Sequence, residues 1–367
     1  MVTRIAHLST AHGRRELRVH LKECNSLARA GYEVHYIVAD GKGPERVGDV
    51  QVHDIGVAGG RFQRMLLRPW RMLAAARSLQ ARLYHFHDPE LLLIALALQR
   101  GGAKVVYDSH EDVPRSLMSR DWLPRWIRPG LSAVFEWFEN AVARRISAVV
   151  GATPHIAARF RRIQPKVVTI NNFPMRHEIE DAVQATGDGR SVCYLGGIGR
   201  IRGIEEMVRA MEHVNGRLIL AGPFESEQTL RAASQLPGWS KVDYRGQVSR
   251  AVVREIMAES RAGLVFFHPE PNHVEAQPNK MFEYMSAGLP VLSSDFPLWR
   301  ELLQDTGAGW VADPMDPQSI AAVINRLLDD PPAGVAMGQR GRESVLTRYQ
   351  WAFEEQALFR LYEDLLA

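Results

Sequence analysis

Residues 275–291 read EAQPNKMFEYMSAGLPV, and the pattern changes character within them. Met281, Phe282, Met285 and Ala287 suit a helix, which Gly288 and Pro290 bring to a stop. Leu289–Ser293 then reads as a short buried strand. Helix followed at once by buried strand is a joint of an α/β sheet. Pro278 stands just before the helix, so Glu275 lies in a loop aimed at the helix amino terminus and Glu283 lies one to two turns inside it. Unfilled backbone N–H groups at such a terminus suit an anion, whereas carboxylates accept hydroxyl protons. A ligand with phosphate in its middle and hydroxyls at both ends, such as a nucleotide-sugar, would use all three features. The bland alternative is a pair of solvated surface glutamates, and spacing alone does not separate the two.

The same alternation runs outward in both directions. Arg4–Leu8 reads as a strand, residues 9–13 (STAHG) as a loop, and residues 16–30 as a helix with Leu17, Leu21, Cys24, Leu27 and Ala28 on one face. Gly31 ends that helix, and residues 32–39 alternate as a second strand. Further strands are expected at Lys104–Asp108, Ala148–Gly151, Val167–Asn171, Ser191–Leu195, Arg217–Ala221 and Gly263–His268. A long amphipathic helix carries Leu131, Val134, Phe135, Phe138 and Val142. Polar clusters follow the strands: YHFHDPE at 84–90, SHED at 109–112, GGIGRIRG at 196–203, Gly222-Pro223 and Asp243–Val248. Ligands of open α/β sheets bind at that carboxyl edge. A glycine-rich turn lets backbone approach phosphate, and Arg200 and Arg202 add forked donors. The three-glycine dinucleotide fingerprint is missing from both first turns, so a nicotinamide cofactor is not expected. No tight ligand spacing among His87, Asp88, His110 and Asp112 calls for a metal.

A chain of 367 residues implies two domains. No apolar run reaches the ~18 residues of a spanning helix, and the amino terminus offers no signal peptide. Cys24 and Cys193 match no redox or metal spacing, which fits a cytoplasmic protein. Residues 1–172 hold 26 Lys and Arg against 15 Asp and Glu, whereas residues 173–367 hold 19 against 27, so the first half suits an anionic surface. Residues 61–82 contain Arg61, Arg64, Arg68, Arg71, Arg77 and Arg82 and no acid, interleaved with Met65, Leu66, Leu67, Trp70, Met72 and Leu73. Residues 115–128 repeat the theme with Trp122 and Trp126. Basic and aromatic residues together suit peripheral contact with anionic membrane, or simply a solvated helix face. No nucleic-acid recognition motif accompanies them.

The run of a glutamate, seven residues and EYMSAGLPV resembles the donor-site signature of retaining glycosyltransferases of family 4. RVHLKECNSLARAGYEV, YHFHDPELL and YDSHEDVPR are similar to a bacterial subgroup of that family that builds surface polysaccharides. The resemblance implies the GT-B fold: two Rossmann-like, doubly wound parallel-sheet domains facing across a cleft. Residues 1–172 with a returning helix at about 351–367 would form the acceptor side, and residues 173–350 the donor domain. It implies sugar transfer from a nucleotide-sugar to a glycan or lipid-linked acceptor with retention, and no metal or other cofactor is expected. The protein is expected to be cytoplasmic, with contact of the basic-aromatic segments with the inner face of the cytoplasmic membrane as one option. His110, Glu275 and Arg202 would be the catalytic residues. The donor would meet Gly197, Gly199, Arg200, Arg202, Gly222, Arg245, Gln247, Val248, Glu275, Ala276, Gln277, Asn279, Lys280 and Glu283. His12, Gly13, His87 and Asp88 would line the acceptor side. The family's usual small, glycine-rich residues after the first glutamate are replaced here by Ala276–Lys280, and Gly197 stands where an arginine is usual. A sugar-nucleotide epimerase and a non-catalytic donor-binding subunit are the rival readings. The first would act with no acceptor present, and the second would bind donor without turnover.

Overall fold

The computed structural model describes residues 2–57, 68–120, 123–180 and 189–367. Arg61, Arg64, Met65, Leu66, Leu67 and Trp122, from the basic-aromatic stretches, lie outside the described residues. The chain forms two compact units, one of residues 1–172 with 351–367, the other of residues 173–350.

The first unit is built on strands β1 (Arg4–Leu8), β2 (Glu33–Val38), β3 (Glu45–Val47), β4 (Val50–Asp54), β5 (Leu83–Phe86), β6 (Lys104–Ser109), β7 (Ala148–Gly151) and β8 (Val167–Thr169). They form one sheet in the order β3-β4-β2-β1-β5-β6-β7-β8, parallel except for β3 against β4. Strands grow outward from β1 in both directions, so the switch point lies between β1 and β5. The loop after β1 and the HDP turn after β5 therefore meet at the edge where ligands of such sheets bind.

The helix after β1 departs from the expected spacing. Leu17–Cys24 winds with wide, π-type turns before continuing as an α-helix over Asn25–Arg29. The wider turn brings Arg18, Lys22 and Glu23 inward and leaves Leu21 exposed. Buried charges need partners. Arg18 donates to Asp108 and to the Ile170 carbonyl, and Lys22 donates to Asn172 Oδ1 at 2.6 Å. On the helix Arg128–Ala143, Phe135, Phe138 and Val142 meet the core, but Leu131 and Val134 face solvent with Trp137.

The last helix, Trp351–Leu366, packs on the first unit. Trp351 Nε1 donates to Ser26 Oγ, Asn171 N–H donates to Glu354, and Tyr362 is fully buried.

The second unit carries β9 (Ser191–Leu195), β10 (Arg217–Ala221), β11 (Val242–Tyr244), β12 (Ala262–Val265), β13 (Val291–Ser294) and β14 (Gly309–Ala312). They form an all-parallel sheet in the order β11-β10-β9-β12-β13-β14. Its switch point lies between β9 and β12, which places the glycine turn after β9 beside the segment leading to Glu275. The central strands of both sheets, such as β5, β7, β9 and β12, read as near-continuous apolar runs because they are buried along their whole length.

Candidate functional site

In the second unit, the turn after β9 is shaped by close backbone contacts. Gly203 has φ +71, and a Cβ there would stand 2.1 Å from the Phe266 carbonyl. Gly222 has φ +140, and its Cβ would stand 2.0 Å from the Gly196 carbonyl. Only glycine fits either position. Arg202 Nη1 donates to the Gly197 carbonyl at 3.0 Å, which folds its guanidinium back over the turn. Arg200 instead contributes its backbone N–H, which donates to Glu225 at 2.8 Å, while its side chain points to solvent.

The helix foreseen in EAQPNKMFEYMSAGLPV spans Asn279–Ser286, with Pro278 before it and Gly288 at φ +68 after it. Glu275 closes the short helix Pro271–Val274, and Ala276 accepts a hydrogen bond from Trp299 Nε1 at 2.7 Å. Gln277 Oε1 is buried without a partner among the described residues, and Asn279 is exposed. Glu283 sits 3.3 Å from Arg250.

Lys280 provides the most informative geometry. Its Nζ is buried, has no hydrogen-bond partner among the described residues, and lies 3.8 Å from the centre of the Tyr194 ring. A Cβ on Gly196 would be 3.7 Å from it. Burial first, and the charge of Arg202 second, bring its ammonium down from 10.5 to about 7. A buried amine beside an arginine at a glycine turn, unpaired with any acid among the described residues, is a setting that suits an anion. Thus Gly197, Arg202, Lys280 and Gly222 come together. Arg245 is spent elsewhere, donating to Asp243 and Glu259; Gln247 is exposed, and Val248 rests on the core.

In the first unit, Asp88 is turned inward. It accepts from Ser9 Oγ at 2.7 Å and Thr10 N–H at 2.6 Å, and lies 3.2 Å from His12 Nδ1, so it organises the loop after β1. His12 and Gly13 stay at the surface of that loop. His87 is buried, and His110 is 17% exposed.

Behind these residues lies a polar cluster. His7, Glu23, His85, His87, Asp108 and Tyr362 are all essentially inaccessible to solvent. Burial raises the Asp108 carboxyl, but Arg18 and then His110 outweigh it and hold it well below the carboxylate range. Burial, with Asp108 next, pushes Glu23 well above its ordinary value. The two acids are thus pushed in opposite directions, with Asp108 the one that Arg18 holds through both oxygens. Burial keeps His7 and His85 neutral, and brings His87 down to about 4. Among the described residues, His7, Glu23, His85 and His87 form one group within metal-ligating reach, and His87, Asp108 and His110 a second. The sequence held one signal for this cluster, since His7 and His85 interrupt the apolar runs IAHL and LYHF, and the sheet pairs those two positions on β1 and β5.

Residues 18–172 match the glycosyl transferase 4-like domain, and residues 175–344 match glycosyl transferases group 1. A phosphatidyl-myo-inositol mannosyltransferase of Mycolicibacterium smegmatis is 25% identical over 293 residues, covering 77% of this chain and 70% of that protein. Sucrose-phosphate synthase from Thermosynechococcus elongatus superposes with a TM-score of 0.80 at 19% identity over 99% of both chains. Anabaena Alr3699/HepE, solved with UDP and glucose, gives 0.75 at 14% identity over 99% of this chain and 100% of that one. These matches give the two units the GT-B type of fold and lend no support to an epimerase.

Proposed function

We propose that this glycosyltransferase of the GT-B type moves a sugar from a nucleotide-sugar to a glycan or lipid-linked acceptor, with retention of configuration, in the building of surface polysaccharide. The observation that carries the proposal is the unpaired, buried ammonium of Lys280 beside Arg202 at a glycine turn. A diphosphate supplies the oxygen that Lys280 Nζ lacks and a partner for the Arg202 donors that Gly197 does not take. As the bond to the leaving group stretches, negative charge grows on the diphosphate and positive charge on the sugar ring. Arg202, Lys280 and the amino-terminal N–H groups of the helix 279–286 oppose the first, each by about 3 kcal/mol of barrier. The cations in this scheme are the chain's own, so no metal is required. Glu275 accepts from hydroxyls of the donor sugar and Glu283 from the ribose. His110 bonds a sugar hydroxyl near the reacting carbon, and the departing phosphate takes the acceptor's proton.

The Anabaena protein's complex with UDP and glucose supports a nucleotide-sugar donor, and the mannosyltransferase relative supports a lipid-linked acceptor. No described helix is long and apolar enough to cross a membrane. Trp126 is 83% exposed and Trp137 71%, with Val134, Leu131 and Trp70 also exposed. With Arg120 and Arg125 nearby in sequence, they support peripheral contact with the inner face of an anionic membrane. A thermal-shift screen of nucleotide-sugars tests the donor site, and a protein that none of them stabilises refutes it. Anomer-resolved NMR of the product tests retention, which an inverted linkage rejects. His110→Ala is expected to slow transfer while sparing donor binding.

A further inference from the structure

The hydrogen bonds of the buried cluster in the first unit can run in two directions, and one of the two serves the Asp108 carboxylate. An ionised carboxylate only accepts. Arg18 donates to both its oxygens, at 3.0 and 2.9 Å. Two ring nitrogens face Oδ2, Nε2 of His110 at 3.0 Å and Nδ1 of His87 at 3.3 Å, and both serve the carboxylate when each carries hydrogen. A neutral His87 protonated at Nδ1 is an acceptor at Nε2. His7 Nδ1, 2.9 Å away, must donate to it. His7 then accepts at Nε2, where the Tyr362 hydroxyl stands at 3.0 Å and must donate. The Tyr362 oxygen in turn accepts from His85 Nδ1 at 2.9 Å. One direction runs through the whole series, from His85 through Tyr362, His7 and His87 to Asp108.

Reversal of that direction would change the surroundings of His110. His87 would then be protonated at Nε2 and would offer a lone pair at Nδ1, 3.2 Å from His110 Nε2. It would withdraw its bond from Asp108 and compete with Asp108 for the His110 proton. In the forward direction no hydrogen bond forms between the two rings, and the His110 Nε2–H is directed onto Asp108 alone.

We propose that Tyr362 is a positioning residue, whose hydroxyl donates to His7 Nε2 and so steadies the tautomers of His7 and His87 that leave the His110 Nε2–H bonded to Asp108. The proposal rests on the role given to His110 in the transfer. Glu23 faces Arg18 Nε at 3.2 Å through Oε1 but gives the histidines no partner, because its Oε2 lies 3.8 Å from His7 Nδ1, 3.9 Å from His85 Nδ1 and 4.0 Å from His87 Nε2, beyond hydrogen-bond reach. A metal ion among those four groups fits less well. Two nitrogens on one tetrahedral zinc stay about 3.3 Å apart, whereas His7 and His87 approach to the hydrogen-bond distance of 2.9 Å.

Long-range 1H–15N spectra of the full chain, labelled at histidine, read the tautomers directly and do not require turnover. Wild type is expected to show His7 and His87 as single Nδ1–H tautomers. Tyr362→Phe is expected to give mixed or reversed tautomers at both, with transfer slowed about five- to tenfold, the worth of one buried hydrogen bond, and donor affinity unchanged. An Nε2–H tautomer at His7 or His87 in wild type overturns the proposal, even if the variant fails to fold. So do tautomers that the substitution leaves unchanged, and so do tautomers that shift while the rate stays the same. One equivalent of zinc in the purified protein, lost in Glu23→Gln, overturns it in favour of a metal site. If no nucleotide-sugar binds, the proposed function fails, and the spectra still decide the proton placement.

Discussion

Lys280 makes donor binding answer to pH. Its ammonium is brought down to about 7 in the empty site by burial and by Arg202, and an anionic diphosphate within reach would bring it back up. At pH 8 roughly nine-tenths of the free protein would then hold a neutral amine, so donor binding takes up about 0.9 proton. Affinity is expected to be flat below about pH 6 and to weaken nearly tenfold, ~1.4 kcal/mol, for each unit above about pH 8. A nucleotide diphospho-sugar is the right titrant, because its diphosphate has no terminal phosphate proton to lose near pH 6. Calorimetry in buffers of different ionisation heat gives the proton count as a slope. Lys280→Met should abolish that slope. A slope near zero in wild type at pH 8, or one that survives in the variant, refutes the reasoning. The unliganded protein offers a check of opposite sense. A base held below its unfolded value binds fewer protons folded than unfolded between about pH 7 and 10.5, so its contribution to stability rises with pH across that window.

Glu283→Gln replaces an acceptor carboxylate and releases Arg250; donor affinity measured by calorimetry should fall about five- to tenfold. Gly222→Ala sets a methyl against the Gly196 carbonyl at a φ that side chains avoid, and its thermal unfolding should show a loss of about 2–4 kcal/mol. The double variant Trp126→Ala, Trp137→Ala should float with anionic vesicles about tenfold less than wild type, while its donor affinity stays the same.

The α/β alternation was legible because buried parallel strands are short apolar runs closed by turn residues, as at Ser191–Leu195 and Arg217–Ala221. The β3–β4 hairpin was not legible, since Glu45–Val47 is three residues with two of them exposed. Helical spacing placed Leu21 inward, and the π-type turns put Lys22 and Glu23 there instead. Leu131 and Val134 belong by periodicity to an inward face, but they stand in solvent with Trp137, because an apolar stripe does not say what covers it. At the candidate site, EAQPNKMFEYM gave the helix and its two glutamates. The want of a partner at Lys280, and the spending of Arg245 on Asp243 and Glu259, depend on side chains that meet only in three dimensions.

Because the segment Trp351–Leu366 completes the first unit, the order of synthesis is not the order of completion. Residues 173–350 leave the ribosome with all their own strands in hand, whereas the opening 172 residues must wait for Trp351 to reach Ser26 and for Tyr362 to reach His7 and His85. Until then the interior histidines would meet water. A newly made chain would thus carry a half-finished amino-terminal lobe until Trp351–Leu366 is made, and a ribosome stalled before Trp351 would leave that lobe open to proteases.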